Sequence, residues 1–425
     1  MKINTPKIGR FSKTEKAWIM YDWANSAYSI FIAVVLPLFA ASLAKGAGVD
    51  VATHTSNWGI ASSIACAIVA VCAPILGAMA DYKGLRMRFF ISFFVIGVLS
   101  TGIIPAINSY MAILIIYGVT NFGFAGANVF YDAFLVDVTS IERMDKVSTW
   151  AFGMGYIGGS TIPFLVTIAL STFGHLIGIS GTQTMQISAI ITALWWAVFT
   201  MPFIRNVKQI TAIEREKGII IKSFKRLGST LKNIKNHKAL FIFLIGYFFY
   251  IDGVGTIIKM ATTYGSALGI DDTALMIGLL ITQVVAFPCA ILYGNLAAKF
   301  SAKRMILVGI ATYFGVCLVG YFMSTAWHFY LLACLVGTAQ GGIQALSRSY
   351  FGKLIPDKNR AGEFFGFYNI FSKFESVVGT ALMAVVIRLT GNVNAGVLSV
   401  LAMFIIGGLI TLSVPDDKKI PETSK

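Results

Sequence analysis

Apolar residues come in long unbroken runs along this chain, not in short alternating stretches. A helix that crosses a bilayer needs about 20 mostly apolar residues. Twelve runs reach that length, near 17–43, 57–80, 88–107, 110–137, 147–172, 184–204, 239–266, 273–298, 303–323, 327–352, 362–389 and 392–414. The pattern predicts an all-α integral membrane protein, because helices satisfy their own backbone polar groups where no water can. The longest connection, 205–238, parts six runs from six. The expected organisation is a tail over 1–16, a six-helix half over 17–204, a basic linker over 205–238, a second six-helix half over 239–414 and a tail over 415–425. Within the linker, Phe224, Leu227, Leu231 and Ile234 recur at helical spacing, which suits either an interfacial amphipathic helix or a charged connector with some helix.

Polar positions inside the runs are not spread evenly. Ionisable groups in a bilayer are costly and face a cavity or each other. The third, sixth, ninth and twelfth runs have essentially no charge in their interiors, whereas the first, fourth, seventh, tenth and eleventh do. In the first, Asp22, Asn25, Ser26 and Ser29 fall on one helical face. The fourth offers Asn121, Asn128 and Asp132, and the seventh Asp252, Thr256, Lys259 and Thr263. The tenth offers Gln340, Gln344 and Ser347 or Arg348; the eleventh, Asn369, Lys373, Ser376 and Thr380. From these stripes come the candidate substrate and coupling residues Asp22, Asn25, Ser26, Asn121, Asn128, Asp252, Lys259, Gln340, Gln344, Asn369 and Lys373. Taken singly, each amide or hydroxyl equally fits a hydrogen bond between packed helices, worth about 0.6 kcal/mol. Asp252 and Lys373 fit a structural ion pair as well as a substrate or coupling site. Asp132 and Arg348, near the ends of the fourth and tenth runs, form a candidate gate pair.

The start of the first run can be placed more closely. Ser12 and Glu15 read as a capping box, so the helix is expected to begin near Lys13. Asp22 then lies about 14 Å along it, between Tyr21 and Trp23 as expected interfacial anchors, where it would act as a gate or coupling residue.

Composition excludes several classes. Hydrophobic residues make up 56% of the 425 positions and charged residues 12%, against about 25% charged in soluble domains; mean hydropathy is +0.76. The net charge of +15 does not mark a nucleic-acid binder. With both termini cytoplasmic, 29 of the 34 Lys and Arg fall in the tails and even-numbered loops. That is the positive-inside bias of a multi-pass protein of the cell (cytoplasmic, inner) membrane. No cleavable signal peptide is expected, since a polar segment leads into a full-length run. Cysteines 66, 72, 289, 317 and 334 lie inside runs, and the four histidines lack ligand spacing. No metal, cofactor or catalytic residue is expected, and the chain does not read as an enzyme. Gly153–Gly158 matches G-x-G-x-x-G, but without a preceding strand it reads as small residues for close helix approach. No phosphate loop is present to drive transport, so any transport would be secondary.

The two halves echo each other. Gly77–Arg88, "GAMADYKGLRMR", is matched 217 positions later by Gly294–Met305, "GNLAAKFSAKRM"; Gly126-x-Asn128-xxx-Asp132 is matched 216 later by Gly342-x-Gln344-xxx-Arg348. Internal duplication is a transporter signature. The loop Gly77, Asp81, Gly84, Arg86, Arg88 resembles that between spans two and three of the major facilitator superfamily. "YDWANSAY", "YIDGVGT" and "GGIQALSRSYFGKLIP…EFFGFYNIFSKF" resemble its vacuole-effluxer-like branch, relatives of the fungal vacuolar amino-acid effluxer, in a bacterial-type form. The resemblance implies twelve transmembrane helices in two pseudo-symmetric six-helix halves, with spans one, four, seven and ten lining a central cavity. It implies efflux and amino-acid transport as keywords for function. In the second loop copy Ala298 replaces the acid. The first copy, with Asp81, Arg86 and Arg88, is read as a conformational loop tying helix ends together.

The resulting expectation is a secondary active transporter that moves a small polar solute, with amino acids as candidates, by alternating access. Protons are the candidate coupling ion through Asp22, Asp132, Asp252 or Glu375, since burial raises a carboxyl pKa. Expected partners are the lipid bilayer, a small-molecule substrate and protons, with no nucleic acid and a monomeric chain. The alternative is a non-transporting sensor or scaffold on the same fold. It would call for an added soluble domain, which the eleven-residue tail does not supply.

Overall fold

The computed structural model describes residues 10–233, 237–373 and 377–419. Glu375 and Ser376, among the candidates above, lie outside the described residues, as does Ile234. Among those described, twelve helical spans are long and apolar enough to cross a membrane: Lys13–Gly46, Val51–Ala80, Arg86–Ala106, Tyr110–Val138, Ile141–Ile177, Gly181–Asn206, Lys238–Ser266, Ala274–Lys299, Ala302–Tyr321, Ala326–Leu354, Lys358–Thr390 and Val393–Leu412. They are numbered one to twelve below. The described residues contain no strand, only an isolated bridge between Tyr82 and Ile213.

Some spans outrun their apolar runs, as span one does at Lys13–Gly46 against 17–43, because a helix continues until a cap stops it. Span one begins at Lys13, with the Glu15 amide donating to Ser12 Oγ at 3.0 Å and the Ser12 amide donating to Glu15 Oε2 at 2.8 Å. The expected capping box is present. Asp50 caps span two in the same way, accepting from the Thr53 amide at 3.0 Å. Hydrogen bonds from the Thr53 hydroxyl and amide hold its carboxyl below the usual pKa, so this contribution is present at neutral pH and fades as pH falls through the lowered value.

Contacts divide the chain into two compact units. Unit 1 comprises Met1–Val138, Met154–Phe224 and Asn359–Gly366; unit 2 comprises Thr139–Gly153, Lys225–Lys358 and Phe367–Lys425. Each therefore includes a short segment from the other six-span stretch of sequence.

In unit 1, span one is clamped between spans four, five and six by its aromatic residues. Trp18 stacks on Tyr131 at 4.5 Å, and Trp18 Nε1 donates to the Tyr131 carbonyl at 3.0 Å. Tyr21 is fully buried against Phe90, Tyr131 and Phe203. It is not the interfacial anchor expected from sequence. The ring is turned inward, where edge and tilted ring contacts add to packing. Trp23 is half-buried and stacks on Trp195 at 5.8 Å.

Span five approaches span one through the Gly153–Gly158 stretch, which leads into a π-helical segment at Gly155–Ser160. A Cβ on Gly159 would lie 2.3 Å from the Trp23 carbonyl oxygen, and one on Gly155 2.5 Å from Ser26 Oγ. The expectation of close helix approach holds here. Lipid offers little hydrophobic drive for helix association, so such packing carries much of the stability. Gly159→Ala is expected to lower the thermal midpoint of the purified protein through an overpacking cost of about 1–3 kcal/mol. A midpoint indistinguishable from the parent would contradict the contact.

In unit 2, span eight packs along span ten, span seven along span twelve, and span nine along both ten and twelve. Tyr313 stacks on Phe404 at 5.4 Å to join spans nine and twelve. The linker forms a helix at Ile219–Lys232. Ser223, Leu227 and Thr230 are buried, Ile220, Ile221, Phe224 and Leu231 are exposed, and Lys222, Lys225 and Lys232 occupy a further face. The linker thus contains a helix with an apolar and a basic side, which suits both readings of its sequence.

Candidate functional site

The candidate residues divide between the units: Asp22, Asn25, Ser26, Asn121 and Asn128 in unit 1, and Asp252, Lys259, Gln340, Gln344, Asn369 and Lys373 in unit 2. In unit 1, Asn25 Nδ2 donates to Asn128 Oδ1 at 2.9 Å, joining spans one and four. This is the packing bond that either residue alone would fit. Asp22 and Asp132 are buried carboxylates, Ser26 lies against Gly155, and Asn121 is half-buried.

In unit 2, Asp252 is fully buried. Two backbone amides of span eleven donate to this carboxylate: Val378 N at 3.2 Å and Gly379 N at 2.6 Å. Sequence spacing pointed to Asp252 but not to these partners. Asn369 and Gln340 are buried, Gln344 half-buried and Lys259 exposed. Lys373 belongs to the helical stretch Ala361–Lys373. Arg348 is buried, donates from Nε to Ser148 Oγ at 3.0 Å, and sits 4.4 Å over the Phe152 ring.

The loop after span two forms a charged knot within unit 1. Gly84 adopts φ +72°, which lets the chain turn back into span three. Arg86 is fully buried and bridges Asp81 at 3.2 Å and Asp137 at 2.5 Å. The other Asp137 oxygen accepts from the Ile210 and Thr211 amides and the Thr211 hydroxyl, at 3.1, 2.7 and 2.7 Å. Asp81 also accepts from Gly362 N at 2.7 Å and Glu363 N at 3.1 Å, the opening turn of the helix at Ala361–Lys373. A Cβ on Gly77 would sit 2.1 Å from the Gly362 carbonyl, so only glycine allows this approach. Gly77, Asp81 and Arg86 thus meet in one buried cluster, with Gly84 at the turn beside it. Arg88 does not join them: it is exposed on the outer side of span three, two residues past Arg86 and so turned about 200° away around the helix.

Unit 2 contains a counterpart. A Cβ on Gly294 would meet Thr149 Oγ1 at 2.1 Å, so the second loop glycine packs on the start of span five. The charges here come from elsewhere. Lys353 is buried between Asp145 at 2.5 Å and Asp417 at 2.7 Å, and Ser349 Oγ donates to Asp145 Oδ1 at 2.7 Å. The stretch after span twelve is strapped down as well: Tyr350 Oη donates to the Pro415 carbonyl at 2.5 Å, and Ser301 Oγ to Asp416 at 3.3 Å. Asp137, Asp145, Lys353 and Asp417 were missed by sequence reasoning. One signal was available: Asp137 and Lys353 are separated by the same 216 positions as Asp132 and Arg348.

Two bundled six-span stretches tied at their loops define a class, the major facilitator superfamily fold. A structure of the superfamily transporter FucP in the outward conformation superposes with TM-score 0.73 over 95% of this chain and 98% of that one, at 13% identity. A bacterial homologue of the iron transporter ferroportin gives 0.67 at 11% identity, over 94% and 98%. At such identities the likeness concerns fold alone.

Within that fold, the chain belongs to the family described as Vacuole effluxer Atg22 like, which it matches over residues 51–424. YxiO of Bacillus subtilis (strain 168), described as an uncharacterised MFS-type transporter, is 52% identical over 413 residues, 96% of each chain. Autophagy-related protein 22-1 of Aspergillus clavatus is 26% identical over 324 residues, covering 66% of this chain and 50% of that protein. The chain is thus a multi-pass membrane protein and an MFS-type transporter that spans about half the length of this fungal relative.

Proposed function

We propose that the protein moves a small zwitterionic solute of the amino-acid class by alternating access, with protons as the coupling ion. The observation that carries this reading is Asp252, a carboxylate buried within span seven that accepts from the Val378 and Gly379 amides of span eleven. Ionisable groups within spans are costly, and transporters use them at substrate and ion sites. Asp252 can meet an ammonium, and Lys373 can meet a carboxylate. Asp22, Asn25, Ser26, Asn121 and Asn128 supply the polar face of unit 1, and Lys259, Gln340, Gln344 and Asn369 that of unit 2. Asp132 and Arg348 serve as the gate. The termini are cytoplasmic, the chain is a monomer in the cell membrane, and the family name favours efflux.

Proteoliposomes containing the protein should take up or release a labelled amino acid when a proton gradient is imposed, and lose that flux when an ionophore collapses it. Asp252→Asn should abolish the gradient dependence. Flux that ignores the gradient would remove proton coupling, and no flux of any amino acid would remove the substrate class.

A further inference from the structure

The linker helix Ile219–Lys232 has three sides. At about 100° per residue, Ser223, Leu227 and Thr230 share the first, and all three are buried. Ile220, Ile221, Phe224 and Leu231 share the second, and each is more than half exposed. Lys222, Lys225, Arg226 and Lys232 share the third. From Lys217 to Lys238 the sequence holds seven Lys and Arg and no acid. Most exposed apolar side chains of this chain lie in spans, where lipid covers them; these four lie outside the spans.

The helix is kept close to the bilayer. Span six ends at Asn206 and span seven begins at Lys238, so the linker leaves and rejoins the membrane at its surface. Its first stretch is fastened there as a strap. Ile213 N donates to the Asp81 carbonyl at 2.8 Å, and Lys83 N to the Ile213 carbonyl at 2.9 Å. Gln209 Oε1 accepts from Gly84 N at 2.9 Å, and Thr211 N donates to Asp137 at 2.7 Å. The strap thus lies on the loop that joins spans two and three. Only Lys217 and Gly218 separate Glu216 from the helix, and Lys222 pairs with Glu216 across them. Tyr82 Oη donates to the same carboxylate at 3.4 Å.

An exposed apolar side next to a basic side suits a helix that lies in a bilayer interface. Its apolar residues enter the acyl boundary, while its lysines reach up to the phosphates. A second copy of the chain would bring two basic sides together, and a soluble partner would compete with a bilayer that the helix already adjoins. We propose that this helix docks on anionic lipid of the adjoining leaflet and that docking steadies the strap on the loop at 81–86. Ile220, Ile221, Phe224 and Leu231 insert, and Lys222, Lys225 and Lys232 meet the headgroup phosphates. Each basic residue close to an anionic surface strengthens attachment about fivefold. A strap two residues from an anchored helix opens less often than one beside a loose helix. Docking of this kind depends neither on the solute carried nor on proton coupling.

The test is amide hydrogen exchange of the full-length protein, a single copy per nanodisc. One set of discs is phosphatidylcholine, the other equal parts phosphatidylcholine and phosphatidylglycerol. Exchange over 219–232 should be at least about tenfold slower in the anionic discs, and the Ile213 and Lys83 amides should slow with it. Added salt should reverse both effects, because it screens the attraction. Lys222→Gln combined with Lys225→Gln and Lys232→Gln should remove the difference between the discs. Ile221→Ser combined with Phe224→Ser should speed exchange of the helix in both. All five positions are exposed, so both variants should keep the parent's thermal midpoint in detergent. Equal exchange in the two discs, or a difference that survives the lysine substitutions, would overturn the lipid dock. So would equal slowing by inorganic phosphate added to phosphatidylcholine discs, which would give the basic side to a soluble anion. Slowing seen only with two copies per disc would give the apolar side to a second copy instead. Slowing of the helix with Ile213 and Lys83 unchanged would overturn the link to the loop.

Discussion

Asp137→Ala is expected to yield little folded protein, and what is recovered should unfold at a much lower temperature than the parent. Arg86 is fully buried and its two carboxylate partners are Asp81 and Asp137. Asp137→Ala breaks one of these buried ion pairs and leaves Arg86 with Asp81 alone; breaking a buried pair costs about 3–5 kcal/mol. Asp137 also receives the Ile210 and Thr211 amides and the Thr211 hydroxyl, so three donors lose an acceptor at once. The loss should be larger in Asp137→Ala than in Asp137→Asn, which keeps an acceptor. The double variant Asp137→Ala with Arg86→Met should be less stable still, because Asp81 then loses its cation. Thermal unfolding of the three proteins checks this. A double variant more stable than Asp137→Ala would show that Asp81 does not compensate Arg86.

Lys353→Met should produce the second large effect, of similar size and for the opposite reason. The lysine separates Asp145 from Asp417, and all three side chains are buried. Without it two carboxylates face each other, a like-charge pair that cannot stay doubly ionised cheaply. The variant should therefore be more stable in mildly acidic buffer than at neutral pH, because protonating one carboxylate relieves the repulsion. It should also expose the stretch after Pro415 to protease, since Asp417 loses its anchor. A pH-independent midpoint and an unchanged cleavage pattern would both argue against this cluster. Asp417→Asn should be milder, because Lys353 keeps Asp145.

The twelve spans were legible because each rests on a local property, the length of an apolar run, which no tertiary contact needed to rescue. The start of span one was legible for the same reason: Ser12 and Glu15 are three residues apart. The loop tie was half legible. Gly77, Asp81, Gly84 and Arg86 are neighbours in sequence, but Asp137 reaches Arg86 from 51 residues away, and Thr211 reaches Asp137 from 74 away. Charged residues such as Asp145 and Lys353 were absorbed into the count of loop charges, where solvated and buried groups look alike. Tyr21 was misplaced because a tyrosine near a span end suits an interface and a helix core equally well. Its ring contacts with Phe90, Tyr131 and Phe203, all distant in sequence, decide the matter. At Asp252 the spacing identified the residue, while its partners, the amides of Val378 and Gly379, carry no side-chain signature.

The reversal of charge between the repeats, acid at 132 and 137 and base at 348 and 353, bears on the ancestry of the chain. A protein fused from two first halves would carry aspartate where Lys353 now neutralises Asp145 and Asp417. That ancestor could not hold its strap as this chain does, so sign had to diverge before the present fastening could exist. Shuffling halves among relatives should succeed only when a donor's second half arrives with its own basic residue at that place.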